Sequence, residues 1–213
     1  AEGRQGGAAV GAWLQAGAKL DGFIGRSDVS TGWVGGLHVS KGDPAALEDL
    51  LAVLGFFKRS GLKLQLNTDG RNAAVLERLL EQGMADRVVM ELKGPRALYA
   101  AMIGGPVDTA EVHRSMALAA GFPEHRFETT VAPVPESDRG AAGIRYLTPD
   151  EVAETAQWLQ AATGSHRQPY VLRAFQRPAE AHGPDRPAET ASPGSLIRHR
   201  SAARRHQVLA EIE

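Results

Sequence analysis

Five short runs rich in β-formers alternate with stretches of helical periodicity, and no other feature narrows the fold of this chain so far. The runs lie at residues 36–40 (GLHVS), 62–67 (LKLQLN), 87–92 (RVVMEL), 126–131 (RFETTV) and 170–175 (YVLRAF). Between the first two, Leu47, Leu50, Leu51, Leu54 and Phe57 fall at i, i+3, i+4, i+7 and i+10, which predicts one apolar helix stripe stopped by Gly61. The second connection repeats the pattern with Leu76, Leu79 and Leu80 before Gly83, and the third with Val112, Met116 and Leu118 before Gly121. Thr148, Pro149 and Glu151 announce a fourth helix as N-cap, first-turn proline and capping-box acid. Strand–helix–strand units of this kind require parallel pairing through right-handed crossovers. The expected fold class is therefore α/β, with about five parallel strands.

Residues 35–178 hold this core. Residues 1–34 are Gly- and Ala-rich, with a helix expected at 11–20 and no assignment for the stretch that follows it. Residues 179–194 carry too much Pro, Gly and small polar content to pack and read as a flexible linker. Residues 195–213 are expected to form a basic C-terminal helix carrying Arg198, Arg200, Arg204 and Arg205 beside Leu196, Ile197, Val208, Leu209 and Ile212. Such a segment is either a frayed, solvated end or a docking element for a partner.

Charge and cysteine content remove whole classes of function. With 24 Lys+Arg against 25 Asp+Glu the formal charge is −1, so no basic field exists to hold nucleic acid or an anionic membrane. No apolar run approaches the ~18 residues of a spanning helix, and a cytoplasmic chain is expected. The absence of cysteine excludes disulfides, thiolate zinc, iron–sulfur ligation and thiol catalysis by these 213 residues. The seven histidines lack a metal-site spacing, and neither a phosphate loop nor a dinucleotide fingerprint is present. No metal ligands and no catalytic nucleophile–base pair are predicted.

In parallel α/β domains ligands bind at the carboxyl ends of the strands, and here those ends are polar. The first run leads into Ser40, Lys41, Gly42, Asp43 and Pro44, the second into Asn67, Thr68, Asp69 and Gly70, and the third into Glu91, Leu92 and Lys93. The fourth carries Glu128, Thr129 and Thr130, and the fifth Arg173 and Gln176. Each has a plainer reading beside the functional one. Asp43 suits a helix cap, Asn67 to Gly70 an ordinary turn, and Thr129 and Thr130 are common β-formers. Glu91 and Lys93, two apart on a strand, face the same side and could be a solvated pair.

Taken in order, these strand ends resemble the radical S-adenosylmethionine superfamily, and within it the activating proteins of anaerobic ribonucleotide reductase and related glycyl-radical enzymes. The family patterns Ser-Gly-Gly-Glu-Pro, Leu-Asp-Thr-Asn-Gly, Met-Asp-Ile-Lys, Phe-Arg-Thr-Thr and Gln-Gln-Phe-Arg-Pro find counterparts in the same sequence order over about 145 residues. Those counterparts lie at residues 39–44, 66–70, 90–93, 127–131 and 170–178. The resemblance implies a partial (β/α) barrel whose first βα unit is missing here. It further implies S-adenosylmethionine as ligand, a 5′-deoxyadenosyl radical as the parent activity, and a glycyl-radical enzyme as partner.

It also implies site residues. Lys41, Gly42, Asp43 and Pro44 correspond to the segment that holds the methionine amino group. Asn67, Thr68, Glu91 and Lys93 correspond to the residues lining the ligand carboxylate and a nearby monovalent cation, while Glu128 and Arg173 lie at the matching ends of the last two strands. The chemistry is consistent, since an ammonium wants a carboxylate and a carboxylate wants a lysine. Three departures matter: Lys41 replaces a glycine, Glu128 replaces an arginine, and the three cysteines that bind the family's 4Fe-4S cluster are absent. The chain then either starts after the cysteine loop or is a relative that has lost the chemistry, and is expected to be inactive on its own in both cases. Two other readings stand beside it: a non-catalytic binding or regulatory module on a degenerate barrel, and an unrelated α/β enzyme using Asp43, Asp69 and Glu91 as acids. A barrel without its first unit should expose strand edge, from which self-association is expected.

Overall fold

The computed structural model describes residues 29–30, 32–40, 42–135, 145–176 and 193–213. Along the chain the strands are β1 (Val29–Ser30), β2 (Trp33–His38), β3 (Lys63–Thr68), β4 (Arg87–Glu91), β5 (Glu124–Val131), β6 (Tyr170–Ala174) and β7 (Glu211–Ile212). The helices are α1 (Leu47–Arg59), α2 (Ala73–Glu81), α3 (Tyr99–Ile103), α4 (Thr109–Ala119), α5 (Pro149–Thr163) and α6 (Pro193–Ala203), with one 3-10 turn at Pro44–Ala46. All five expected strands are present as β2 to β6. The helix expected at 11–20 and the linker at 179–194 fall largely or wholly outside the described residues.

The chain divides into two compact units, one drawn from Ala1–Met90 and Ala110–His125, the other from Glu91–Thr109 and Arg126–Glu213. In the first, the strands lie in the order β1-β2-β3-β4. β2 runs parallel to β3 with Trp33 opposite Lys63 and His38 opposite Asn67, and the register slips between Val34 and Leu37, where Gly35 and Gly36 give the backbone room to bulge. β3 and β4 pair in parallel from Gln65–Arg87 to Thr68–Met90. Strand alternation decides the core. Leu64, Leu66 and Thr68 are buried with Val88 and Met90, whereas Gln65, Asn67, Arg87 and Glu91 are half-buried. The predicted stripes meet that apolar layer: Leu50, Leu51, Leu54 and Phe57 of α1, Leu76 and Leu79 of α2, and Val112 and Met116 of α4 are all buried.

In the second unit the order is β5-β6-β7, parallel throughout. Phe127 lies opposite Tyr170 and Thr130 opposite Arg173. Leu92, following β4, donates its N–H to the Glu128 carbonyl at 2.7 Å. Phe127, Val131, Tyr170 and Leu172 are buried with Val152, Ala156 and Leu159 of α5. The Tyr170 hydroxyl donates to Thr129 Oγ1 at 2.8 Å, which in turn donates to the Leu92 carbonyl at 2.8 Å. This satisfied chain lets a phenol sit in the core, and burial pushes its pKa well up.

Two features differ from expectation. The basic segment at 195–213 is only half helix: α6 ends at Ala203, and the chain continues to β7, which pairs with β6. Buried Gln207 fixes the connection, its Oε1 accepting from Gln168 N at 2.9 Å and its Nε2 donating to the Ser165 carbonyl at 2.9 Å. Two short strands that were not expected also flank the longer ones. β1 folds antiparallel onto β2 through Gly32 at φ 82°, and β7 lies along β6. Each pairing spans two residues, Trp33 and Val34 of β2 and Val171 and Leu172 of β6.

Candidate functional site

The strand ends of the first unit are bound to one another by their own side chains. Ser40 Oγ, at the end of β2, accepts from Asp69 N at 2.6 Å and lies 3.1 Å from Thr68 Oγ1. Thr68 Oγ1 accepts from Gly70 N at 3.0 Å. Thr68 is therefore buried and internally satisfied rather than presented to a ligand. Asn67 is half-buried, its carbonyl accepting from Val39 N at 3.1 Å. Asp43 caps the 3-10 turn, Oδ1 accepting from Ala45 N at 2.9 Å, as the plainer reading of that residue anticipated. Gly42 is buried, and Lys41 lies outside the described residues.

Asn72 holds this loop and was not anticipated. It adopts φ 91°, the left-handed conformation that asparagine tolerates better than most residues, just before α2. Its Nδ2 donates to the carbonyls of Val39, at 2.9 Å, and Gly42, at 3.0 Å. Asp69 takes a fork of bonds from Arg71, the shortest 2.7 Å. Burial raises the Asp69 pKa, but the Arg71 side chain, Ser40 and the Arg71 backbone outweigh it and keep the group below the ordinary carboxylate value. Asp69 is thereby an ion-pair partner and a poor general acid.

In the second unit charged side chains line the sheet face opposite the core. Lys93 Nζ donates to Glu91 Oε2, and Thr130 Oγ1 donates to Glu91 Oε1 at 3.3 Å. The expectation that Glu91 and Lys93 share a side is realised as an ion pair. On β5 and β6, Glu128 lies between two arginines: Oε1 is 2.5 Å from Arg126 Nη2 and Oε2 is 3.1 Å from Arg173 Nη1. Oε1 accepts no well-angled hydrogen bond, so its contact with Arg126 is ionic. Arg173 also donates to Glu213 at 2.6 Å. The Glu213 contact comes first among the causes that raise the Arg173 pKa, ahead of the opposing burial and the charges of Glu128 and Glu91. Arg126 and Glu213 were missed in the sequence. Arg126 could have been found as the residue two before Glu128 on one strand; Glu213 is brought in by β7, whose pairing has no local signal.

The iron–sulfur cluster of the resembling family does not fit this chain. No cysteine is present, and no group of three His, Asp or Glu side chains among the described residues could hold a metal ion. No helix among those residues is long and apolar enough to cross a membrane.

No protein-family model matches the chain, and no curated protein matches it by sequence. Solved structures do match. One is the crystal structure of a domain of pyruvate-formate lyase-activating enzyme from Bacteroides vulgatus ATCC 8482, at 13% identity and a TM-score of 0.54 over 84% of this chain and 99% of that one. At that identity the likeness is one of fold. The chain shares the α/β, partial-barrel type of fold of an activating-enzyme domain, the fold that its strand-end motifs implied.

Proposed function

We propose that this chain is a radical S-adenosylmethionine activase-like barrel portion that binds S-adenosylmethionine and contributes no cluster of its own. The observation that carries the reading is the Glu91–Lys93 pair with Thr130 beside it. An acid and a base side by side on one sheet face complement a zwitterionic amino-acid head group, whose ammonium and carboxylate can exchange into the pair without net charge transfer. The cognate partner of the activity in which such a portion takes part is a glycyl-radical enzyme. No radical step is derived for this chain, because it offers the cluster no thiolate.

Calorimetric titration with S-adenosylmethionine tests the reading. Micromolar binding that weakens about tenfold or more in Lys93→Met and in Glu91→Gln is expected, each variant losing a charge-assisted contact. Binding that is absent, or indifferent to both substitutions, overturns it. A second reading, a binding module that has abandoned the ligand, is favoured by Glu128. It stands where the family has arginine, and it occupies Arg126 and Arg173 from within.

A further inference from the structure

Four side chains of the second unit close into a ring of alternating charge. Glu128 touches Arg126 through Oε1 and Arg173 through Oε2, and Glu213 Oε2 touches both arginines, at 3.4 Å and 2.6 Å. The two acids differ in standing. The Glu128 side chain is 8% exposed and that of Glu213 is 55% exposed. Glu128 cannot leave without stranding buried charge, so it fixes both guanidinium groups from beneath. Glu213 faces water. Its N–H donates to the Leu172 carbonyl at 3.1 Å, which holds its backbone, while the ion pairs with Arg126 and Arg173 hold its side chain. An exposed ion pair contributes little, and holding a glutamate in one rotamer costs side-chain freedom. With Glu213 turned away, two guanidinium groups face a single carboxylate, leaving one net positive charge and open N–H donors towards solvent.

We propose that Arg126 and Arg173 form a binding site for the carboxylate of a small molecule, with Glu213 as its tethered, displaceable occupant and Glu128 as the buried residue that orients the pair. The forked guanidinium geometry suits a carboxylate, and Glu213 itself shows that one fits. Being tethered, Glu213 competes at high effective concentration, so the site is masked in the intact chain and opens when an incoming carboxylate outcompetes it. The proposal does not rest on S-adenosylmethionine being that ligand: failure of the titration above leaves it standing.

The test uses the full chain, nitrogen-15 labelled, with the arginine Nε–H signals followed during titration with succinate at matched ionic strength. Arg126→Lys and Arg173→Lys assign the two signals. Glu213→Gln, a change at an exposed side chain, is expected to bind succinate about tenfold more tightly than the unaltered protein, with shifts centred on those two signals. Equal affinity in the two proteins removes Glu213 as occupant. No movement of the Arg126 and Arg173 signals in well-folded Glu213→Gln overturns the site itself.

Discussion

Two residues at the end of β3 set what the first unit can tolerate. Gly70 sits at φ 87°, and a Cβ there would lie 2.5 Å from Met90 Cε and 3.0 Å from Val112 Cγ1. Met90 and Val112 are fully buried, so the Met90 methyl would have to swing aside within a packed core. Gly70→Ala combines backbone strain with overpacking and should cost about 2–3 kcal/mol, read from the urea midpoint. An unchanged midpoint would show that the turn relaxes. Asn72 works differently, since its side-chain amide matters as much as its left-handed backbone. Asn72→Gly keeps the conformation but leaves the Val39 and Gly42 carbonyls without that donor, for a loss of about 1–2 kcal/mol. Asn72→Ala adds the φ penalty and should cost about 1 kcal/mol more. Equal stability of the two variants would mean that the amide, not the left-handed backbone, governs the loop. Gly70 was legible as a turn glycine. Asn72 was not, because the carbonyls that give it purpose lie about thirty residues earlier in the chain.

At the scale of elements, α5 shows how far local sequence carries. Thr148 Oγ1 accepts from Glu151 N at 3.2 Å and Glu151 Oε2 accepts from Thr148 N at 2.7 Å, closing the expected capping box with Pro149 in the first turn. Thr148→Ala should cost about 1 kcal/mol. Burial acts to raise the Glu151 pKa, but bonds from Arg145 and from the Thr148 backbone outweigh it and hold the group below its ordinary value. A carboxylate with a depressed folded pKa contributes stability that is present above its unfolded pKa and lost as pH falls through the folded one. Melting temperature should therefore fall with pH below the ordinary glutamate range, and Glu151→Gln should flatten that fall while lowering stability at neutral pH. A variant with the same acid limb as the parent would show that other carboxylates dominate. The cap and the helix stripes were legible because their partners lie within a few residues. β1 and β7 were not, since each is two residues long and defined only by pairing with β2 or β6.

For the chain as a whole, the α/β class and the order of strand ends could be read because each β-run ends in polar residues. The contacts those residues make could not. Glu128 looked like a charge reversal at a ligand position, and only its setting between Arg126 and Arg173 shows the charge balanced within the protein. The missing cysteines carry the largest consequence. A 4Fe-4S centre of the superfamily kind is held by three thiolates, and imidazole or carboxylate substitutes need several ligands converging within about 2 Å of each metal. The chain has no thiol, and its described residues hold no such convergence. Anaerobic treatment of this chain with iron and sulfide, followed by reduction, should therefore leave no stable 4Fe-4S signal by electron paramagnetic resonance, with or without S-adenosylmethionine. The proposed binding of S-adenosylmethionine is a separate matter, since it would draw on Glu91 and Lys93 rather than on sulfur. A chain that binds the ligand but assembles no cluster fits the proposed reading, whereas a robust cluster signal would require ligands these residues do not provide and would overturn the assignment of binding without cleavage.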